Sequence, residues 1–327
     1  MIVIYILYWL AALGLFIYGM NMYVLVRSFR KGRTEHLARM EKVRREYWAS
    51  VTEDELRVVT IQLPLYNERF VAGRLIHAIS KLEYPRDKLE VQVLDDSNDE
   101  TVDIVKTLVA HYRGLGLDIE HIRRDNREGY KAGALRDGLK TSRGELVAVF
   151  DADFVPEPDF LRKTVPFFVD EKIGLVQTRW GHVNESYSML TQAQAIAIDG
   201  HFGVEQAGRR WGGFFLNFNG TAGIWRRKAI DDAGGWHADT LTEDLDLSYR
   251  SQLKGYEIEY LIDVEVPAEI PADITAFKSQ QRRWAKGSIQ TAIKLIPKVL
   301  KADRPAFTKL QAMIHLTHYM VHPLMLT

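Results

Sequence analysis

From Ile2 to Val26 the chain carries no charged residue and is dominated by Ile, Leu, Val, Tyr, Trp and Ala. That meets the requirement of roughly 20 apolar residues for a helix that crosses a bilayer. A secretory signal fits poorly. No basic segment precedes the run, it outlasts the usual apolar region of about 7 to 15 residues, and no small-residue cleavage site follows. Arg27, Arg30, Lys31 and Arg33 come directly after it. Basic flanks stay on the cytoplasmic side, so the following domain is expected in the cytoplasm and the amino terminus outside, in an integral protein of the plasma or inner membrane. At the other end, Leu310 to Thr327 is apolar apart from Gln311, Thr317, His315, His318 and His322. It reads as the start of a second span on which a fragment stops. The histidines have metal-like spacing but no Cys or carboxylate beside them, and are expected to be polar residues at helix interfaces.

Between these ends the pattern has two regimes. Thr34 to Glu55 is charged, with Leu37, Met40, Val43 and Tyr47 at helical spacing, which predicts an amphipathic linker helix near the membrane. Short apolar runs then alternate with helical segments. The runs are Val58 to Leu63, Val91 to Leu94, Ile119 to Ile122, Leu146 to Phe150 and Ile173 to Gln177; the helices include Val71 to Lys81, Thr101 to Tyr112 and Lys131 to Lys140. This predicts an α/β domain with a mostly parallel sheet and helices on both faces, and ligands in such sheets bind at the carboxyl ends of the strands. From Phe277 an amphipathic helix follows, with Ile289, Ile293, Ile296 and Leu300 on one stripe and Lys286, Lys294, Lys298 and Lys301 supplying charge, as in a helix lying in the membrane interface. Pro297 should kink or end it. The expected division is 1–27 membrane helix, 28–56 linker, 57–276 catalytic domain, 277–303 interfacial helix and 304–327 second membrane segment.

Lys+Arg and Asp+Glu both total 43, which removes any whole-chain electrostatic case for nucleic acid. The chain has no cysteine, so disulfides, thiolate metal sites and a cysteine nucleophile are excluded. It also lacks a Walker loop and a dinucleotide glycine fingerprint.

What remains is a series of clusters in fixed order: Tyr66-Asn67-Glu68, Asp95-Asp96, Asp151-Ala152-Asp153, Thr242-Glu243-Asp244 and Gln280-Gln281-Arg282-Arg283-Trp284. An Asp-x-Asp turn at a strand end offers hard oxygen ligands to a divalent cation, though the same residues also make plain Asx-turns. Lys131 opens a helix after Gly129, where its ammonium and the helix amino end can meet phosphate oxygens. Thr242-Glu243-Asp244 also suits the start of a helix. A basic stretch explains Arg282 and Arg283, but not Gln280 before them and Trp284 after. Gln177-Thr178-Arg179-Trp180 ends in the same Arg-Trp pair but belongs to a sheet strand. Glycines around Trp211 and Asn219 point to close backbone approach.

These clusters, with Val93-Leu94-Asp95-Asp96-Ser97, Gly129-Tyr130-Lys131-Ala132-Gly133-Ala134-Leu135 and Phe218-Asn219-Gly220-Thr221-Ala222-Gly223, resemble the processive family 2 glycosyltransferases over Ile61 to about Lys286. Within that family the likeness is to the cellulose-synthase-like mannan and glucomannan synthases. The resemblance implies a GT-A fold and an inverting transfer of a hexose from a nucleotide sugar, GDP-mannose or UDP-glucose, to the end of a β-linked polysaccharide. It implies Mg²⁺ or Mn²⁺ at Asp151 and Asp153, and donor contacts from Tyr66, Glu68, Asp95, Asp96, Lys131 and Arg283. Asp244 is the implied base, with Trp284, Asn219, Glu243 and Gln280 on the acceptor; His201, Glu205 and Gln206 lie just before that pocket. Many cellulose synthases carry a Cys near the Asn219 position, and its absence argues against a cellulose product. Transfer of one sugar to a membrane lipid is the enzymatic rival. A nucleotide-sugar sensor or scaffold is disfavoured because Asp153, Asp244 and Arg283 are all present.

Overall fold

The computed structural model describes residues 1–326. A helix α1 (Ile2–Ser50) leads into β1 (Val59–Leu65), α2 (Ala72–Ser80), β2 (Leu89–Asp95), α3 (Thr101–Gly114), β3 (Asp118–Arg123), α4 (Tyr130–Leu139) and β4 (Leu146–Val149). Then follow α5 (Phe160–Thr164), β5 (Ile173–His182), α6 (Met189–Gly200), a π-helical turn His201–Glu205, α7 (Gln206–Trp211), β6 (Gly223–Arg226), α8 (Arg227–Asp232) and α9 (Glu243–Leu253). β7 (Glu257–Ala268), α10 (Ile274–Lys301), α11 (Ala306–Leu316) and α12 (Val321–Met325) complete it.

The strands form one 7-stranded sheet in the order β3-β2-β1-β4-β6-β5-β7. β6 alone runs against its neighbours β4 and β5; the other pairings are parallel. Both faces are covered, and alternate residues feed two cores. Leu146 and Ala148 pack with Ile61, Val91 and Met40 on one side, and Val147 and Val149 with Leu175, Phe218 and Trp225 on the other. Burial on both faces is why these strands read as unbroken apolar runs. The five expected strands are all present, as is the mostly parallel, helix-covered sheet. β6 and β7 were not foreseen.

Three differences from the sequence-based expectations have physical causes. The apolar run and the linker are one continuous helix, about 74 Å long at 1.5 Å per residue. Its first part is exposed from Met1 to Leu10, whereas Met40 is fully buried and Leu37, Val43, Tyr47 and Trp48 pack against the sheet core. The linker stripe therefore faces the domain and does not lie on a membrane surface. Among the described residues, α1 is the one helix long and apolar enough to cross a membrane. Second, Pro297 does not end α10, which continues to Lys301. Third, the apolar stretch after Leu310 is not one helix: α11 stops at Leu316, and α12 is a separate short turn of helix. This stretch returns to α1, where the Tyr18 hydroxyl donates to the Thr317 carbonyl at 2.8 Å. His315 Nδ1 meets the Tyr249 hydroxyl at 2.8 Å, the interface role expected of the histidines. Thr327 lies outside the described residues.

α1 is fastened to the sheet by charge. The fully buried Glu259 on β7 accepts from Arg39 of α1 and, at 3.0 Å, from Arg210 of α7. Burial alone would push this carboxyl up, but the two guanidinium groups hold it below the usual carboxylate range. Arg44 bonds Asp263, and the Trp48 indole donates to the Arg162 carbonyl at 2.9 Å. Removing one partner of such a group leaves the others desolvated and unpaired. Glu259→Ala should therefore cost about 3 kcal/mol or more of unfolding free energy. Denaturant unfolding in detergent measures this, and a loss under about 1 kcal/mol would show that the guanidinium groups find other partners.

Candidate active site

The parallel strands deliver the first three clusters to one edge. β1 ends at Leu65, β2 at Asp95 and β4 at Val149, so Tyr66 to Glu68, Asp95-Asp96 and Asp151-Ala152-Asp153 leave the sheet side by side. The reversed strand β6 adds the fourth component. Because it is antiparallel, its beginning lies where β4 ends, with Gly223 paired to Val149. The loop Asn219 to Ala222 therefore lies directly over the Asp-x-Asp turn. The Ala222 N–H donates to the Val149 carbonyl at 2.9 Å, and the Asp151 N–H donates to the Thr221 hydroxyl at 2.9 Å. Gln177 on β5 accepts from the Asn219 N–H at 3.0 Å.

Lys131 reaches into the middle of this arrangement. Its ammonium pairs with the Asp151 carboxylate and donates to the Gly220 carbonyl at 2.8 Å. Gly220 has φ +83°, and a Cβ there would lie 3.0 Å from Asp244 Oδ2 and 3.5 Å from Lys131 Nζ. A side chain would be strained in this conformation and would also crowd the Asp244 carboxyl and the Lys131 ammonium. Carboxyl groups outnumber cations here, and their proton affinities show it. Burial, then the charges of Asp151 and Asp99, push Glu68 up. Burial and the Asp151 charge push Asp153 up to about 7. Burial and then Glu243 raise Asp244 to about 7 as well. Burial also raises Glu243, against the opposing pull of Lys131. Burial lowers the affinity of Lys131 for its proton, but Asp151 and Glu243 outweigh it and the ammonium is held.

α9 begins at Glu243 and α10 brings the last cluster across from it. α10 approaches so closely that a Cβ on Gly287 would lie 2.5 Å from Thr242 Cγ2. Between α10, α6 and the π-helical turn is a cavity of about 430 Å³. Asp244 lies at its wall, with Trp284, Gln280, Asn219, His201 and Trp180 around it. His201 Nδ1 meets Glu205 at 3.0 Å and its Nε2 meets Asn219 Oδ1 at 3.1 Å.

The structure brings together Glu68, Lys131, Asp151, Asp153, Glu243 and Asp244, and puts Trp284, Gln280 and Asn219 on the adjoining cavity. Arg283 is exposed on α10, near enough for its charge to act on Glu243. Tyr66 is exposed at the rim, and the Arg127 guanidinium lies 3.1 Å from its ring centroid. The Asp95-Asp96 pair divides. Asp95 points inward, and its oxygens are taken by His121 at 2.8 Å and the Ser97 N–H at 2.9 Å. These bonds hold the end of β2. Asp96 is held by Arg124 through both oxygens, with Nε at 2.9 Å from Oδ1. Sequence reasoning missed Thr221, Gln177, Arg124 and Arg127. Their partners are distant in sequence, so no local pattern marks them.

A mostly parallel sheet with an Asp-x-Asp turn at the carboxyl edge of its strands, buried carboxyl groups beside it and a cavity alongside is the arrangement of the GT-A fold. Residues 57–287 match the model of the glycosyltransferase-like family 2, and the chain belongs to that family. It is 43% identical over 257 residues to glucomannan 4-beta-mannosyltransferase 2 of Arabidopsis thaliana, covering 77% of this chain and 48% of that protein. It is 44% identical over 257 residues to glucomannan 4-beta-mannosyltransferase 1 of Oryza sativa subsp. japonica, covering 77% and 49%. These relatives agree with the mannan-synthase-like branch read from the sequence, and the chain spans about half their length. Among solved structures, the mannosyltransferase PcManGT from Pyrobaculum calidifontis, in complex with GDP-Man and Mn²⁺, is similar with a TM-score of 0.63 at 21% identity, over 92% of this chain and 81% of that one. S. aureus TarS with UDP-GlcNAc is similar with a TM-score of 0.58 at 18% identity, over 81% and 73%. Both show the fold.

An unfolded aspartate releases its proton near pH 4, whereas Asp244 in the folded chain keeps it up to about 7. Folding therefore takes up a proton between these values. The stability this carboxyl contributes is present at low pH and lost as pH rises through 7. Asp244→Asn has no charge to bury. It should melt above the wild type at pH 8, with the gap closing as pH falls toward about 4. A constant gap across that range would show that Asp244 does not titrate with burial.

Proposed function

We propose that this chain is the catalytic part of a membrane-anchored, divalent-metal-dependent, inverting hexosyltransferase. It extends a β-linked polysaccharide from a nucleotide sugar. The observation that supports this most is the division of the carboxylates by Lys131, with Asp151, Asp153 and Glu68 on one side and Glu243 and Asp244 on the other, at the wall of a cavity holding Trp284. GDP-mannose is the preferred donor, because the similar curated proteins are mannosyltransferases, and UDP-glucose is second. We assign 1–27 to the membrane and the sheet domain, bounded by 57 and 276, to the cytoplasmic side, where nucleotide sugars are made.

Asp151 and Asp153 fit a divalent ion, since both are oxygen donors on one turn and, among the described residues, no ion pair is formed by the Asp153 side chain. Mg²⁺ or Mn²⁺ bound there would neutralise charge growing on the departing diphosphate. Tyr66 and Glu68 lie where base and ribose would rest, with Asp96 and its Arg124 partner at the far side. Lys131 and Arg283 would donate to phosphate oxygens. Trp284 offers an indole face to the apolar face of the acceptor pyranose, and Gln280, Asn219 and Glu243 offer hydrogen bonds to its hydroxyls. Asp244 takes the proton of the attacking hydroxyl. Its raised proton affinity suits a base working near neutral pH. Attack opposite the leaving group inverts an α-linked donor to a β-linked product.

Asp153→Ala should abolish sugar transfer and weaken Mn²⁺-dependent nucleotide binding, measured by titration calorimetry. Equal wild-type turnover in chelator and in Mn²⁺ would sink the metal role. Asp244→Asn should lower turnover by about 10² to 10⁴ with donor affinity nearly unchanged.

Trp284→Ala should end chain elongation while donor binding persists. Product analysis of full-length wild-type protein with GDP-mannose and UDP-glucose decides the acceptor. A β-glycosidase-sensitive polymer supports the polysaccharide reading, and only organic-soluble lipid bearing a single sugar replaces it with glycolipid synthesis.

A further inference from the structure

Lys294 was expected among the lysines supplying charge to an interfacial helix. It instead turns inward. Its ammonium lies 2.7 Å from Asp239 Oδ1, 2.8 Å from the fully buried Asp246 Oδ1 and 3.2 Å from His237 Nδ1. Donor atoms of those three residues lie within 4.8 Å of one another, the spacing of a small metal site. The ammonium already fills that position. Asp246 is held on its other side by Arg250 Nε at 2.7 Å, and Arg250 in turn donates to the carbonyls of Ala233 and, at 2.8 Å, Gly235. The cluster therefore joins three separate pieces of chain: α10, the loop 237–239 and the first turn of α9.

This junction lies on the face of α10 that meets the base. Trp284, Gly287, Thr291 and Lys294 recur at three- and four-residue spacing, one stripe of a helix. Along the stripe, Gly287 abuts Thr242, the Thr291 and Thr242 hydroxyls meet at 3.0 Å, and the neighbouring Gln290 accepts from the Leu241 N–H at 3.0 Å. These middle contacts are short and neutral. At the Lys294 end charge fixes the stripe, and at the Trp284 end it reaches the cavity.

We propose that Lys294 is a positioning residue: a built-in ammonium, occupying what would otherwise be a metal-like site, that latches α10 to the 237–246 segment. The latch sets where Arg283 and Trp284 stand relative to Glu243 and Asp244. This rests on the function proposed above for those four residues. A compact ammonium suits the task because from one point it can hydrogen-bond Asp239 and His237 and stand as an ion pair against Asp246. No residue of the latch touches the reacting groups, so its effect is geometric, and small misplacements of positioned groups lower rates steeply.

The test compares full-length wild type with Lys294→Met, which keeps the length and removes the charge, and Lys294→Arg, which keeps the charge. Asp239→Asn is the milder variant should Lys294→Met fail to fold. Hydrogen exchange is read first, because it needs no activity. Amides of 280–291 and 240–246 should lose protection in Lys294→Met and largely keep it in Lys294→Arg. Kinetics follow. kcat/KM should fall about 10²-fold, with KM for donor and acceptor raised and Lys294→Arg recovering most of the loss. Unchanged exchange in 280–291 overturns the latch. Loosened exchange and a lower Tm with wild-type kcat and KM reduce Lys294 to a structural contact and also overturn it. A zinc ion bound by the wild type and lost in His237→Ala would make the cluster a metal site instead. If the wild type transfers no sugar, the functional reading falls, while the exchange measurement still decides whether the latch exists.

Discussion

Like charges do not gather inside a protein unless something compensates them, and one ammonium is the constraint around which this site is built. Lys131 pairs with Asp151 and is within electrostatic reach of Glu243 and Asp244. Its single charge cannot neutralise all of these together with Asp153 and Glu68. Burial first, and then the neighbouring charges of Asp151 and Glu243, raise the proton affinity of Asp153 and Asp244. A site with such a deficit is receptive to cations from outside, the electrostatic condition on which the proposed metal role rests. The left-handed Gly220 belongs to the same constraint, since its carbonyl is the second acceptor for Lys131 and its missing side chain leaves room for Asp244.

The fold meets this constraint through one reversed strand. Had β6 run parallel, the loop before it would have emerged at the opposite edge of the sheet. Running antiparallel, it sets Gly220 and Thr221 over Asp151. The Asp-x-Asp turn is thus carried by the first half of the sheet, and Glu243 and Asp244 by α9, which follows β6. Neither half is complete alone. What joins them is a set of specific contacts: Lys131 to Gly220, Gln177 to Asn219, and α10 to the turn before α9.

Much of this was legible in the sequence wherever the signal is local. Strands buried on both faces announce themselves as apolar runs, and Asp151-Ala152-Asp153 follows one directly. β7 was hidden because Glu257, Glu259, Asp263 and Glu265 interrupt it. Glu259 can be buried only because Arg39 and Arg210 arrive from elsewhere in the chain, a fact no window of sequence contains. β6 is too short, at four residues, to stand out from its glycine-rich surroundings. Asp95 and Asp96 were indistinguishable as a pair. Alternation along a strand sends adjacent side chains to opposite faces, so one turned to His121 and the other to Arg124. The charged half of α1 was read as a surface helix because its stripe is narrow, yet that stripe is what the sheet covers.

That last point changes what α1 is. A tether would leave the domain free to turn beneath a membrane, but α1 is a core element over its second half. Gly208 on α7 packs so tightly against it that an added Cβ would lie 2.6 Å from the Leu25 carbonyl oxygen. The ring of Trp211 stacks between Phe29 and His36, with centroids 5.3 Å away on each side. Those residues lead directly from the apolar half of the helix to α7, and α7 continues the π-helical turn that lines the cavity. On the membrane-anchored reading, the direction in which the cavity opens is therefore fixed relative to the spanning helix. A flexible linker would not supply that relation, whereas the stacked rings and the Gly208 contact do.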